Sequence, residues 1–138
     1  MSRTNRICCL AEVLIQQEGP GWRLAKDPAR TAFPVLIGGE GWALELTQDE
    51  WQCWQSLVVE LTDQHQQLVD QLLAEESVCL EMERQPWWAC LDGDRHSWSL
   101  QVILQGDCEK ARGAEGCWSV PAAQAMATAM RTAWDFDQ

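Results

Sequence analysis

Seven cysteines and two histidines are the side chains in this chain best suited to nucleophilic or metal chemistry. The thiols are Cys8, Cys9, Cys53, Cys79, Cys90, Cys108 and Cys117. Zinc sites draw their thiolates from short spacings such as C-x-x-C, and no such pair occurs. The odd count, without any metal spacing, predicts buried, reduced thiols. His65 falls on an apolar helical stripe between Leu61 and Val69, with no acid or cysteine one turn away, and reads as a core or boundary residue. The run Asp92-Gly93-Asp94-Arg95-His96 sets carboxylates beside a histidine. It lacks the further oxygen ligands of a calcium loop and matches the tip of a hairpin. Neither histidine has a visible orienting partner for a cysteine nucleophile, and G-x-S-x-G, H-E-x-x-H and P-loop patterns are absent. The expectation is a protein that is not an enzyme and that uses no metal and no cofactor.

Glycine-rich segments raise a second chemistry, phosphate binding. Gly19-Pro20-Gly21-Trp22-Arg23-Leu24 and Gly39-Glu40-Gly41-Trp42-Ala43-Leu44 share the pattern G-x-G-W-x-L, and Gly116-Cys117-Trp118-Ser119-Val120 is a looser third copy. The third glycine of a dinucleotide fingerprint is replaced by Leu24 in one copy and Leu44 in the other. Both copies lead into strands, so no helix N-terminus stands ready for a phosphate. The three are read as turn glycines, each feeding a strand whose tryptophan packs near its start.

The elements that must position these residues follow from periodicity. Residues 22–26, 33–37 and 42–46 read as strands, the last with Trp42, Leu44 and Leu46 on one face and Ala43 and Glu45 on the other. Thr47 then caps a helix, with Glu50 completing a capping box. Trp51, Trp54, Val58, Leu61, His65, Leu68 and Leu72 form its stripe, which predicts a helix to about residue 75. Strands are expected again from Val78, over 87–91, over 97–104 and over 116–120, with a hairpin turn at Asp92-Gly93-Asp94. Pro121 suits the first turn of a closing helix that carries Met126, Met130 and Trp134 on one face. Helices alternating with antiparallel meanders exclude a doubly wound parallel sheet. The reading is a single α+β domain over 19–134, with an N-terminal extension over 1–18, helical or disordered, and a short acidic tail over 135–138. The apolar stretch 7–15 is interrupted by Glu12 and is too short to span a bilayer. The expected location is the cytoplasm, with no membrane partner.

Charge narrows the partners. The net charge is −11, and between Arg30 and Arg84 eleven carboxylates stand with no lysine or arginine. Such a field repels phosphate backbones and anionic membranes. The aromatic set is nine Trp, two Phe and no Tyr. Adjacent strand residues point to opposite faces, so Trp87 and Trp88 cannot both enter one core. An outward Trp beside Glu81 and Glu83 is either an interface anchor or a lid over a sheet edge. Trp87, Trp88, Glu45, Glu81 and Glu83 are therefore the candidate interaction surface, with a basic or apolar protein as the expected partner. The alternative, a single-stranded nucleic-acid binder, requires Arg23, Lys26, Arg30, Arg95, Lys110 and Arg112 to converge on one face.

The segments 19–24, Phe33-Pro34-Val35-Leu36-Ile37-Gly38-Gly39 with Trp42-Ala43-Leu44-Glu45-Leu46-Thr47, and His96-Ser97-Trp98-Ser99-Leu100 resemble a cyanobacterial family known as domain of unknown function 1818. The resemblance extends from Gly19 to about Met130. It implies a fold similar to the Whirly and positive-cofactor-four group of single-stranded-DNA-binding transcriptional regulators, a unit of four strands and a helix duplicated in one chain. The first strand of the first unit is then missing unless residues 7–15 supply it. Whirly-type binding uses a lysine-bearing strand surface, whereas the matching outward positions here include Glu45, Glu81, Glu83, Ser99 and Gln101.

Overall fold

The computed structural model of the chain describes residues 14–106 and 112–133. Two antiparallel four-stranded meanders are each followed by a helix. The first sheet is β1 (Ile15–Gly19), β2 (Trp22–Lys26), β3 (Val35–Gly39) and β4 (Trp42–Leu46), followed by α1 (Gln48–Leu68). The second is β5 (Val78–Arg84), β6 (Trp87–Gly93), β7 (Trp98–Leu104) and β8 (Ala114–Trp118), followed by α2 (Ala122–Thr132). This is the expected α+β arrangement of two meander-plus-helix units. The strand that completes the first unit takes residues 15–18 from the extension expected to be helical or disordered and runs to Gly19; only Ile15 falls in the 7–15 stretch offered for it. It pairs with β2 from Ile15 opposite Lys26 to Gly19 opposite Trp22. Its sequence, Ile-Gln-Gln-Glu-Gly, holds one apolar residue, because an edge strand facing solvent needs little more. Residues 1–13 and 134–138, with Trp134 and the acidic tail, lie outside the described residues, as do Cys8, Cys9, Cys108 and Lys110.

The repeated G-x-G-W motif has a steric origin. Gly19 faces Trp22 and Gly39 faces Trp42 as the closing pairs of two-residue hairpins. Gly21 and Gly41 take φ of +81° and +82°, the third position of a type II turn, which a side chain resists. The first glycine of each motif lies under the indole of its own tryptophan, where a Cβ would collide with the ring. The third copy departs from expectation. Gly116 is inside β8, opposite Val102, not in a turn, and its missing side chain admits Trp42 from the first sheet.

Both sheets put alternate residues inward. Leu24, Val35, Ile37 and Leu46 line the first; Trp87, Ala89, Leu91, Leu100, Val102, Leu104 and Trp118 line the second. The helices cross between them. The first helix lies against β5 and β6 of the second sheet and β4 of the first, while α2 lies against β1 and β2 as well as β7. Trp51, Trp54, Leu57, Val58, Leu61 and His65 form the buried stripe of α1. Tryptophans then join the parts. Trp42 packs on Trp118 with centroids 4.9 Å apart, Trp118 stacks on Trp54 at 5.9 Å, and Trp54 meets Trp87 at 5.0 Å. Trp42 Nε1 donates to the Cys117 carbonyl at 3.0 Å, and Trp118 Nε1 donates to the Gly38 carbonyl at 2.8 Å. Each indole thus crosses from one sheet to the backbone of the other.

The capping box at Thr47 and Glu50 is present in both directions. The helix it starts ends at Leu68, and a single 3-10 turn, Val69–Gln71, follows. Arg95 donates to the Leu72 carbonyl, and Leu73 is 65% exposed, so no core surface is left to extend the helix. At the other end Pro121 is the N-cap, one residue outside the helix.

Replacing Gly116 with alanine drives a Cβ to within 2.6 Å of the Trp42 ring. The expected cost is about 1–3 kcal/mol in urea unfolding, and an unchanged midpoint contradicts the role given to this glycine. Thr47→Ala removes one arm of the cap and is expected to cost about 1 kcal/mol, read from the same titration.

Candidate functional site

Register decides which expected surface residues meet. On the outer face of the second sheet, Glu83 lies opposite Trp88, Trp88 opposite Ile103, and Ile103 opposite Glu115. The row therefore reads Glu83, Trp88, Ile103, Glu115 across four strands, an apolar pair between two carboxylates. The next row is Glu81, Cys90, Gln101 and Cys117, and beyond it Cys79 faces Asp92 and Asp92 faces Ser99. No lysine or arginine stands on the described part of this face. Trp88 is half-buried and Glu81 and Glu83 are exposed.

Two expected members are elsewhere. Trp87 points inward, is fully buried and donates its indole N–H to the Glu50 carbonyl at 3.0 Å. It belongs to the core because α1 covers that face of β6 alone. Glu45 is on the outer face of the first sheet, opposite Leu36, and pairs with Arg30. The alternation placed one of the two adjacent tryptophans outside; only the position of α1 decides which.

Of the six expected cations five are described, and they gather only in part: Arg23 and Arg30 line one pocket with Phe33, over whose ring Arg112 lies, while Lys26 and Arg95 are elsewhere. Arg23 is on the outer face of the first sheet opposite Glu18, and Lys26 is on its inner side in the row with Ile15 and Val35. Arg30 is paired with Glu45. Arg112 pairs with Glu50, donates to the Glu45 carbonyl at 2.8 Å and lies over the Phe33 ring at 4.6 Å. Arg95 is at the far end, in a cleft of about 480 Å³ with His65, His96 and Arg131, between the two helices and the β6–β7 turn. Sequence spacing gave no signal for that grouping, since its members come from three separate parts of the chain, α1, the β6–β7 turn and α2. Arg131 is held there by Asp63 at 2.6 Å, with Thr62 also accepting from it.

The acidic stretch is partly neutralised. Glu45, Glu50, Glu60 and Asp63 pair with Arg30, Arg112, Arg84 and Arg131, all of them outside the stretch or at its ends. Glu81 and Glu83 belong to none of the ion pairs among the described residues.

His65 is buried, as expected, with Nε2–H donating to the Asp94 carbonyl at 2.9 Å and its ring edge on Trp98. The β6–β7 turn falls at Asp94–Ser97, later than expected, because Gly93 still pairs with Trp98. Asp94 Oδ1 accepts from the Ser97 and His96 amides at 3.0 and 2.8 Å. Those amides, Ser97 first, hold its carboxyl below the usual carboxylate range. The run is thus a hairpin tip whose second carboxylate, Asp94, serves its own backbone.

The thiols differ from expectation. Cys53 is half-buried and its thiol, raised by burial against an opposing effect of Arg84, donates to the Arg84 and Gln85 carbonyls. Cys79 and Cys117, by contrast, are exposed, since strand alternation turns both outward. Cys90 is buried, and its Sγ is 3.1 Å from that of Cys79. Burial first, and then the Cys79 contact and the charges of Glu81 and Asp92, push the Cys90 thiol up to about 12. Clustering therefore comes from pairing between strands, a proximity that the eleven-residue separation in sequence conceals.

Among the described residues no helix is long and apolar enough to cross a membrane. A duplicated strand-meander and helix unit with an acidic outer face defines the class. The chain belongs to the family described as domain of unknown function (DUF1818), which matches residues 17–133. Among solved structures it is similar to a protein with unknown function from Prochlorococcus sp. NATL2A, titled as of the DUF155 family, with 44% identity and a TM-score of 0.84. That match covers 88% of this chain and 99% of the other. No curated protein matches.

Asp94→Asn tests the turn. A carboxylate whose folded pKa is depressed contributes stability above its unfolded pKa and loses it as pH falls through the folded value. The stability gap between wild type and the variant is therefore expected to be open at neutral pH and to narrow as pH falls below the ordinary aspartate range. A gap that does not change with pH, in urea midpoints, contradicts the assignment.

Proposed function

We propose that the protein is a non-enzymatic interaction module whose acidic, tryptophan-bearing sheet face docks a basic partner protein. One observation carries the reading, the row Glu83, Trp88, Ile103, Glu115. It fits an apolar side chain flanked by lysines or arginines. Trp88 supplies rigid apolar contact of the kind that dominates interface energetics, and the carboxylates on either side select cations and steer approach. Glu81 and Asp92 on the neighbouring rows extend the same sign of charge. The family resemblance to single-stranded-DNA-binding regulators supports the alternative, a nucleic-acid binder. Charge weighs against it: a single strand needs a cationic groove beneath its stacked bases, and of the five described cations only Arg23, Arg30 and Arg112 come together, with Arg30 and Arg112 paired to carboxylates.

The test uses two labelled probes of similar length, a peptide alternating lysine with leucine and a single-stranded oligonucleotide, each across a salt series. The peptide is expected to bind, and Trp88→Ala to weaken it by about 30-fold, the size of an interface hot spot. Glu75→Lys with Glu76→Lys, away from this face, is expected to change binding less than Glu83→Lys with Glu115→Lys. Oligonucleotide binding that falls steeply with salt overturns the reading, and so does peptide binding indifferent to Trp88.

A further inference from the structure

We propose that Cys79, Glu81 and Cys90 form a binding site for a thiophilic divalent cation of the zinc class on the outer face of the second sheet. The inference is independent of the docking reading, for it rests on the thiol pair and not on Trp88.

Their three donor atoms all lie within 4.8 Å of one another. The backbone explains the grouping. Cys79 and Glu81 are two residues apart on β5 and so share a face, and Cys90 on β6 is directly opposite Glu81. The two sulfurs are 3.1 Å apart. Thiolates bound tetrahedrally at about 2.3 Å from zinc stand roughly 3.8 Å apart, so the pair needs to open by well under 1 Å. Two sulfurs and one carboxylate oxygen make a three-ligand set, leaving the fourth, solvent-facing position for water or an incoming group. Sulfur ligands select zinc, cadmium or cobalt over magnesium and calcium. Asp92, opposite Cys79 on the same face, adds a second carboxylate beside the site. On binding, each thiol gives up its proton and the ion takes the two thiolates, so the charge of the ion is balanced at sulfur.

A disulfide is the competing use of two close thiols. Cys79 and Cys90 are diagonal neighbours, not a directly opposed pair. Diagonal positions in an antiparallel ladder are roughly 7–8 Å apart at Cα, at or past the ~7 Å limit for a bridge. A metal ion spans that gap with unstrained bonds.

The full chain, kept reduced with a phosphine, is titrated with Cd²⁺ or Co²⁺ while the thiolate-to-metal charge-transfer absorption is followed, and Zn²⁺ is then added in competition. One ion per chain is expected that Cys79→Ser abolishes and that Glu81→Gln weakens by at least about tenfold. Both positions are exposed, so these variants keep the test sound even if Cys90→Ser fails to fold. Cys117→Ser, two strands from Cys90 and about 10 Å away, is expected to leave the absorption unchanged, as is Trp88→Ala, whose effect on the peptide is read separately. No charge-transfer band, a band that survives Cys79→Ser, or a Cys79–Cys90 disulfide found by mass spectrometry in protein that binds no ion when reduced, overturns the proposal.

Discussion

The fold depends on indole groups that reach from one sheet to the main chain of the other. Trp42 leaves the first sheet, fills the space above Gly116 and donates to the Cys117 carbonyl. Trp118 makes the reciprocal crossing to Gly38. A buried Trp contributes apolar area and one donor that needs an acceptor, so each crossing joins packing to a directional bond. Trp54 bridges this pair to Trp87, whose N–H in turn holds the first turn of α1. The cost falls on Trp54 itself: its indole nitrogen is buried with no acceptor among the described residues. An unpaired buried donor is worth roughly 1–3 kcal/mol of lost stability, and it sits where rings, not carbonyls, surround it.

This aromatic framework lets the surface carry a large negative charge. Arginines drawn from elsewhere in the chain sit against Glu45, Glu50, Glu60 and Asp63 around α1 and the first sheet. Exposed pairs of this kind contribute about 0–1 kcal/mol each, so their main effect is on the field and not on stability. Glu50 is an exception in use, since one carboxylate oxygen serves both the helix cap and Arg112. Glu81, Glu83, Asp92 and Glu115, in none of the ion pairs among the described residues, stand on the second sheet's outer face around Trp88 and the thiol pair.

Periodicity made most of this architecture legible before any coordinates. The strands Trp22–Lys26 and Trp42–Leu46, the start of β5 at Val78 and the capping box at Thr47 all stand where local pattern put them. Local pattern is blind to three things. It missed β1, whose Gln16 and Glu18 are exposed at an edge and whose inner positions include the polar Gln17. It ran α1 too far, because the stripe continues through Leu72 where no core remains to receive it. And it could not see register: the meeting of Cys79 with Cys90, of Trp42 with Gly116, and the separation of Glu45 from Glu81 are set by which strands are neighbours. The face around Trp88 was legible in part, through Trp88, Glu81 and Glu83, while Ile103 and Glu115 entered only through pairing.

The crossing of the helices gives the two repeats an unusual dependence. The stripe of α1 rests chiefly on the sheet that follows it in the chain, and α2 reaches back to β1 and β2. Half of the molecule taken alone would consist of a meander stripped of much of its cover and a helix with little to lie on. Duplication here has not produced two autonomous modules in tandem. It has produced one block in which each half supplies the cover that the other lacks.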